Sequence, residues 1–178
     1  MILSMKRTAA GAAVTDLILE VFRLNGRLLS AGDALTRPMH QTSARWQVLG
    51  ALDEGARTVA DVSRQMGLAR QSVQRTADLL EADGLLSYED NPAHQRARLA
   101  TLTPRGRATL ETITSRQIDW VNRITARLGV RDLQHTLQTL QQLRGELEHV
   151  PAEDARTRNR LSRRSRRGAP GSLIRKGK

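Results

Sequence analysis

The sequence predicts a mostly α-helical fold with a small β wing, on three observations. Apolar residues recur at spacings of three and four through most of the first 150 residues, which is the helical period. Between Gly84 and Thr103 that period gives way to two short β-favouring runs joined by the turn-rich stretch EDNPAHQ. Just before them, two short helical segments are separated by a tight turn at Gly67. Helix, turn, helix, hairpin is the order of a winged helix-turn-helix. Such a unit lays one helix in the major groove of DNA and the hairpin beside it. The longer stripes on either side predict N- and C-terminal dimerisation helices flanking that unit.

The first element is a helix over about residues 11–30, with Val14, Leu17, Ile18, Val21, Leu24 and Leu28 on one stripe and Gly26 as a weak point. Gly32 and Pro38 are read as its exit. A second helix is expected over residues 42–53, with Trp46, Leu49 and Leu52 on one face and Gly55 as its stop. The third starts at Thr58, where Asp61 three residues on makes a shortened capping box, and ends at Gly67. The fourth runs over residues 69–82 and stops at Gly84. Strands follow at 85–88 and 98–102. Thr103-Pro104 then combines a capping hydroxyl with Pro at the first helical position. The fifth helix carries Leu110, Ile113, Gln117, Trp120, Val121, Ile124 and Leu128 before Gly129 breaks it. The sixth carries Leu133, Leu137, Leu140, Leu143 and Leu147, and Pro151 ends it.

These elements divide the chain into four parts. Residues 1–41 form an N-terminal dimerisation helix and linker, and 42–107 the winged helix-turn-helix. Residues 108–150 form the C-terminal dimerisation helices, and 151–178 a basic tail. The tail holds ten Lys or Arg against two acids, so +8 of the net +11 lies there, and the first 150 residues carry only +3. Like charges with little to bury predict disorder for the tail. On duplex DNA it would add phosphate attraction without sequence preference.

The remaining composition narrows the functional class. Hydrophobic residues make up 39% of the chain but aromatics only 2%, so the core must be built from Leu, Val, Ile and Ala. The absence of Cys excludes disulfides, thiolate metal sites and thiol redox sensing. No apolar run approaches the roughly 20 residues of a membrane span, and the N-terminus is too quickly charged for a signal peptide, so a cytoplasmic protein is expected. His40, His94, His135 and His149 are scattered, without metal-ligand spacing. Phosphate-binding glycine loops and nucleophile elbows are also lacking. No enzyme, metal or cofactor is expected. The first, fifth and sixth helices carry more apolar face than one small domain can cover, which predicts a homodimer.

On a helical wheel, Val73, Thr76, Ala77 and Leu80 share one sector of the fourth helix. The opposite sector holds Gln71, Arg75 and Asp78, flanked by Ser72 and Gln74, with Arg70 at the helix start. Arg matches the two acceptors of guanine, and Gln the donor and acceptor of adenine. The expected DNA contacts are therefore Arg70, Gln71, Ser72, Gln74 and Arg75, with Arg75 and Gln71 on base edges. Past the hairpin turn, Arg96 and Arg98 are expected to reach the minor groove.

These residues resemble a known family. The stretch SARWQVLGALDEGARTVADVSRQMGLARQSVQRTADLLEADGLL, followed by NPAHQRARLATLTPRGR, is similar to the MarR family of winged-helix transcriptional regulators. The resemblance covers residues 42–107, and its most specific pieces are RQSVQR and LTPRGR. It implies a homodimer on a pseudo-palindromic operator, usually as a repressor and often released by a small ligand bound between the winged domain and the dimer helices. Trp46, His40 and Arg45 lie near where such a pocket would form. The chain departs from the family pattern in two places: Ala69 stands where Ser often precedes the recognition helix, and His94-Gln95-Arg96 replaces Asp-Arg-Arg in the wing, keeping only Arg96. Two other classes stay open on sequence grounds. One is a nonspecific architectural duplex binder dominated by the tail; the other is an adaptor whose winged domain no longer binds DNA.

Overall fold

The computed structural model describes residues 7–94 and 96–149; the basic tail and Gln95 lie outside the described residues. The chain divides between Ile124 and Thr125 into two compact units.

The first unit opens with α1, Ala9–Thr36, a 28-residue helix whose N-cap Thr8 accepts a bond from the Gly11 amide at 3.0 Å. It outruns the expected 11–30, and Gly32 is inside it rather than at its exit. The reason is tertiary. A Cβ on Gly32 would meet the Ser43 hydroxyl oxygen at 2.7 Å, so the residue is small because α2 abuts it. A single 3-10 turn, Arg37–Met39, and the left-handed His40 (φ 54°) close the corner. Buried Thr36 braces that corner, donating to the Gly32 carbonyl at 2.9 Å and lying 3.0 Å from the Gln41 carbonyl.

Helix α2 is Ser43–Ala51, two residues shorter at its end than expected. Its first turn is capped twice: Thr42 Oγ1 accepts from Arg45 N at 3.3 Å, and Asp33 Oδ1 of α1 accepts from Ser43 N at 2.7 Å. Strand β1, Arg57–Thr58, is a two-residue pairing that was not foreseen. Helix α3, Val59–Met66, has the expected capping box, with Asp61 N donating to Thr58 Oγ1 at 3.1 Å and Thr58 N to Asp61 Oδ2 at 3.3 Å. Gly67 at φ 63° takes the left-handed position that ends the helix, as its place in the sequence suggests. Helix α4 is Arg70–Ala82.

Strands β2, Leu86–Glu89, and β3, Leu99–Leu102, each start one residue later than expected. The sheet is antiparallel in the order β1-β3-β2, with Leu86 opposite Leu102 and Tyr88 opposite Ala100. The wing is not merely polar: Leu85, Leu86, Ala100 and Leu102 are buried in the core with Val48, Leu49, Val62, Val73 and Leu80. Alternation along the strands turns these side chains inward while the tip extends outward.

Helix α5, Pro104–Ile124, starts where predicted, with Thr103 Oγ1 accepting from Gly106 N at 3.0 Å. It ends before Leu128, which falls in a turn closed by its own amide on the Thr125 carbonyl at 2.9 Å. Arg116 fastens α5 to the end of α1 through a 3.1 Å bond to the Leu35 carbonyl. The second unit contains α6, Val130–His149, in which no residue is buried. Its Leu133, Leu137 and Leu147 are exposed, and so are Phe22, Leu24 and Leu28 of α1.

Candidate nucleic-acid interface

The interface is built on α4. Val73, Ala77 and Leu80 anchor it, all at or below 2% exposure. Burying three side chains at spacings of three and four fixes the rotation of the helix. Arg70, Gln71, Ser72, Gln74 and Arg75 are thereby left exposed. The helix start is open: Ala69 sits at the N-cap with extended backbone (φ −65°, ψ 131°) and supplies no side-chain bond. No side chain therefore caps the first turn of α4, which carries the positive end of the helix dipole. The far end is held fast. Arg45 pairs with Asp83 and donates to the Leu79 carbonyl at 3.0 Å, while Arg105 donates to the Asp83 carbonyl at 3.0 Å. Arg45 thus clamps the end of α4 rather than lining a ligand pocket.

The wing stands against one flank of α4. A groove of about 290 Å³ is lined by Arg70, Gln74 and Asp78 from the helix and Tyr88, Arg96 and Arg98 from the wing. Gln71 and Arg75 lie around a second, more open concavity that Gln74, Asp78 and Leu79 also line. The wing tip is shaped by Asn91, whose Oδ1 accepts from Ala93 N at 3.0 Å and whose carbonyl accepts from His94 N at 3.0 Å.

Of the expected wing contacts, Arg96 is exposed, but Arg98 is engaged. Its guanidinium lies 5.1 Å from the Tyr88 ring centroid and donates to the Tyr88 carbonyl at 2.8 Å. Tyr88 in turn reaches α4. Its hydroxyl accepts from Gln74 Nε2 at 3.0 Å and lies 3.3 Å from Asp78 Oδ1. Burial raises the Tyr88 phenol above its ordinary range, and the Asp78 carboxylate beside it adds to the rise. The helical wheel places Asp78 on the outward sector but outside the expected DNA contacts, and it assigns Tyr88 no role. The i, i+4 spacing of Gln74 and Asp78 was a usable signal, since such pairs meet on a helix surface. The approach of Tyr88 depends on sheet register and had none.

Within the first unit there is also a cavity of about 450 Å³ bounded by α1, α2, α3 and α5. Leu28, Trp46, Met66 and Trp120 form its apolar walls, and Gln47 and Gln117 supply amides. Neither His40 nor Arg45 lines it, contrary to expectation: Arg45 is committed to Asp83, and exposed His40 caps the corner after α1. Among the described residues no group of three or more His, Asp or Glu could hold a metal ion. No described helix is long and apolar enough to cross a membrane.

Comparison with known proteins gives a consistent picture. The MarR family model matches residues 42–97. An uncharacterised protein of Mycobacterium tuberculosis is 35% identical over 130 residues, covering 73% of this chain and 91% of that protein. The crystal structure of CouR from Rhodococcus jostii bound to p-coumaroyl-CoA superposes with a TM-score of 0.66 at 23% identity, covering 72% of this chain and 91% of CouR. That of the M. tuberculosis regulator MOSR in complex with DNA has a TM-score of 0.62 at 21% identity, covering 73% and 96%.

Proposed function

Because the chain belongs to the MarR family of winged helix transcription regulators, we propose that it acts as a homodimeric, sequence-specific repressor on a pseudo-palindromic operator. One observation carries this reading: α4 buries Val73, Ala77 and Leu80 and turns Arg70, Gln71, Ser72, Gln74 and Arg75 to solvent. Two such helices enter successive major grooves about 34 Å apart. Arg75 and Gln71 read base edges. Arg70 and Ser72 make mixed base and phosphate contacts near the uncapped first turn of α4, and Gln74 faces the bases beside them. Arg96 reaches the neighbouring minor groove, with Arg98 bracing the wing behind it. The exposed apolar faces of α1 and α6 supply the surfaces that a second copy would cover. The related fold of MOSR is found in complex with DNA, which supports DNA binding by this fold.

Selection of bound sites from random duplexes by the purified full chain tests this. The expected product is a symmetric site with half-sites one helical turn apart. An unstructured pool of bound sequences would instead favour an architectural, tail-dominated duplex binder.

The α1–α2–α3–α5 cavity is the proposed effector site. No charged side chain lines it, so an ionised ligand would enter unpaired, and a neutral, largely apolar molecule fits its walls. The related CouR fold is found with p-coumaroyl-CoA bound, which supports ligand binding by this fold, although that ligand's phosphates set it apart from the neutral class expected here. The chain has two tryptophans, and both face this cavity. A binding effector should therefore change the intrinsic fluorescence and weaken operator affinity together. An effector that releases DNA with both indoles unperturbed would place the site elsewhere.

A further inference from the structure

Gln normally reads adenine with both ends of its amide, the nitrogen donating to N7 and the oxygen accepting from N6. Gln74 is differently disposed. Its Nε2 lies 2.7 Å from Asp78 Oδ1 and 3.0 Å from the Tyr88 hydroxyl. An ionised carboxylate offers only acceptors, so the amide atom facing Asp78 must be the nitrogen. One N–H goes to Asp78 and the other to the Tyr88 oxygen. The tyrosine proton is directed at the same Asp78 oxygen, at 3.3 Å. Every donor in this ring of three groups is used internally. The ring is also held from behind, since Arg98 covers the Tyr88 ring and bonds the Tyr88 carbonyl.

We propose that Gln74 is a one-sided reader: Asp78 and Tyr88 occupy both of its N–H groups and leave Oε1 as the single atom it presents to the major groove. Its partner is then a base with an exocyclic amine there, cytosine through N4 or adenine through N6. Guanine and thymine show it only acceptors and a methyl group. Asp78 and Tyr88 are positioning residues that set this preference without touching DNA. This rests on the regulator reading above and adds to it the chemistry of one operator position.

The test starts from the site selected by the wild-type full chain. Repeating the selection with Gln74→Ala identifies the base pair that relaxes, and its amine-bearing base, adenine or cytosine, is the one altered next. Duplexes are then made with adenine, 7-deazaadenine (no N7 acceptor) or purine (no N6 amine) at that position. Wild type should bind the 7-deazaadenine duplex as well as the adenine one and lose about tenfold on purine, the effect of one hydrogen bond. Gln74→Ala should not distinguish the three. If cytosine is preferred, removing its N4 amine should give the same tenfold loss. Tyr88→Phe frees one N–H and should make binding sensitive to the 7-deaza substitution.

A loss on 7-deazaadenine equal to that on purine would overturn the proposal. So would no relaxed base pair in Gln74→Ala, or continued indifference to N7 in Tyr88→Phe. A random pool with no preferred site would overturn the regulator reading itself, whereas an N7-dependent site would overturn this inference alone.

Discussion

Alanine at position 106 would put its Cβ 1.9 Å from the Leu85 carbonyl oxygen and 2.9 Å from the carbonyl carbon. That is about 1.5 Å short of ordinary van der Waals contact, and the opposing atoms are backbone rather than a rotatable side chain. The carbonyl cannot swing aside cheaply. It accepts the Thr103 amide at 3.2 Å, and Thr103 caps α5 through the Gly106 amide at 3.0 Å. The Leu85 side chain is itself 2% exposed in the core. In an unobstructed helix, Gly→Ala stabilises by up to about 1 kcal/mol. Here overpacking costs about 1–3 kcal/mol, the strained Leu85–Thr103 bond about 1 kcal/mol, and disturbance of the cap about 1 kcal/mol. Gly106→Ala should therefore be net destabilising by about 2–4 kcal/mol. Urea unfolding at fixed protein concentration reads this as a lower midpoint at unchanged slope. Gly50→Ala in α2 is the control. Nothing lies within 4 Å of its added Cβ, and it should be neutral or stabilising. A Gly106→Ala protein as stable as wild type would refute the close approach of α5 to the wing base.

Arg75→Ala should lower operator affinity by about 1–3 kcal/mol and relax one base position per half-site; equal losses on operator and random DNA would count against base reading. Ala69→Ser supplies the missing N-cap oxygen of α4 and should raise stability by about 1 kcal/mol in urea unfolding, and no change would mean the cap geometry is not available. The Thr58 hydroxyl bonded to Asp61 is the main cause holding that carboxyl below its ordinary range. A depressed carboxylate stabilises the fold above the unfolded value and loses that contribution as pH falls through the folded value. Wild type should therefore lose stability on acidification below about pH 4 more steeply than Asp61→Asn, and parallel acid limbs would contradict the role of the capping box. Deleting residues 155–178 should flatten the log–log salt dependence of DNA binding and weaken all duplexes alike, and loss of sequence discrimination would make the tail a reader.

Sequence and structure agree where the signal is local. The capping box at Thr58 and Asp61, the left-handed Gly67 and the rotation of α4 about Val73 all follow from neighbours within a turn or two. Readings failed where a distant segment decides. Gly32 read as a helix end because Gly is a weak helix former, yet it is kept small by Ser43, and Gly106 is kept small by Leu85. Two-residue β1 has no periodicity to detect and exists because β3 offers it a pairing edge. In the candidate interface, the exposed faces of Arg70, Gln71 and Arg75 were legible from the wheel. The commitment of Gln74 to Asp78 and Tyr88, and of Arg98 to Tyr88, was not. It depends on the hairpin returning against α4, which brings Arg70 and Arg98, 28 positions apart, to one groove.

The most direct measurement is a pair of dissociation constants at physiological salt. The full chain is titrated against its selected duplex and against a scrambled duplex of equal length. If the outward face of α4 reads sequence, the ratio should be about a thousand or more, and Arg75→Ala should shrink it. A ratio near one, unchanged by Arg75→Ala, would contradict the account.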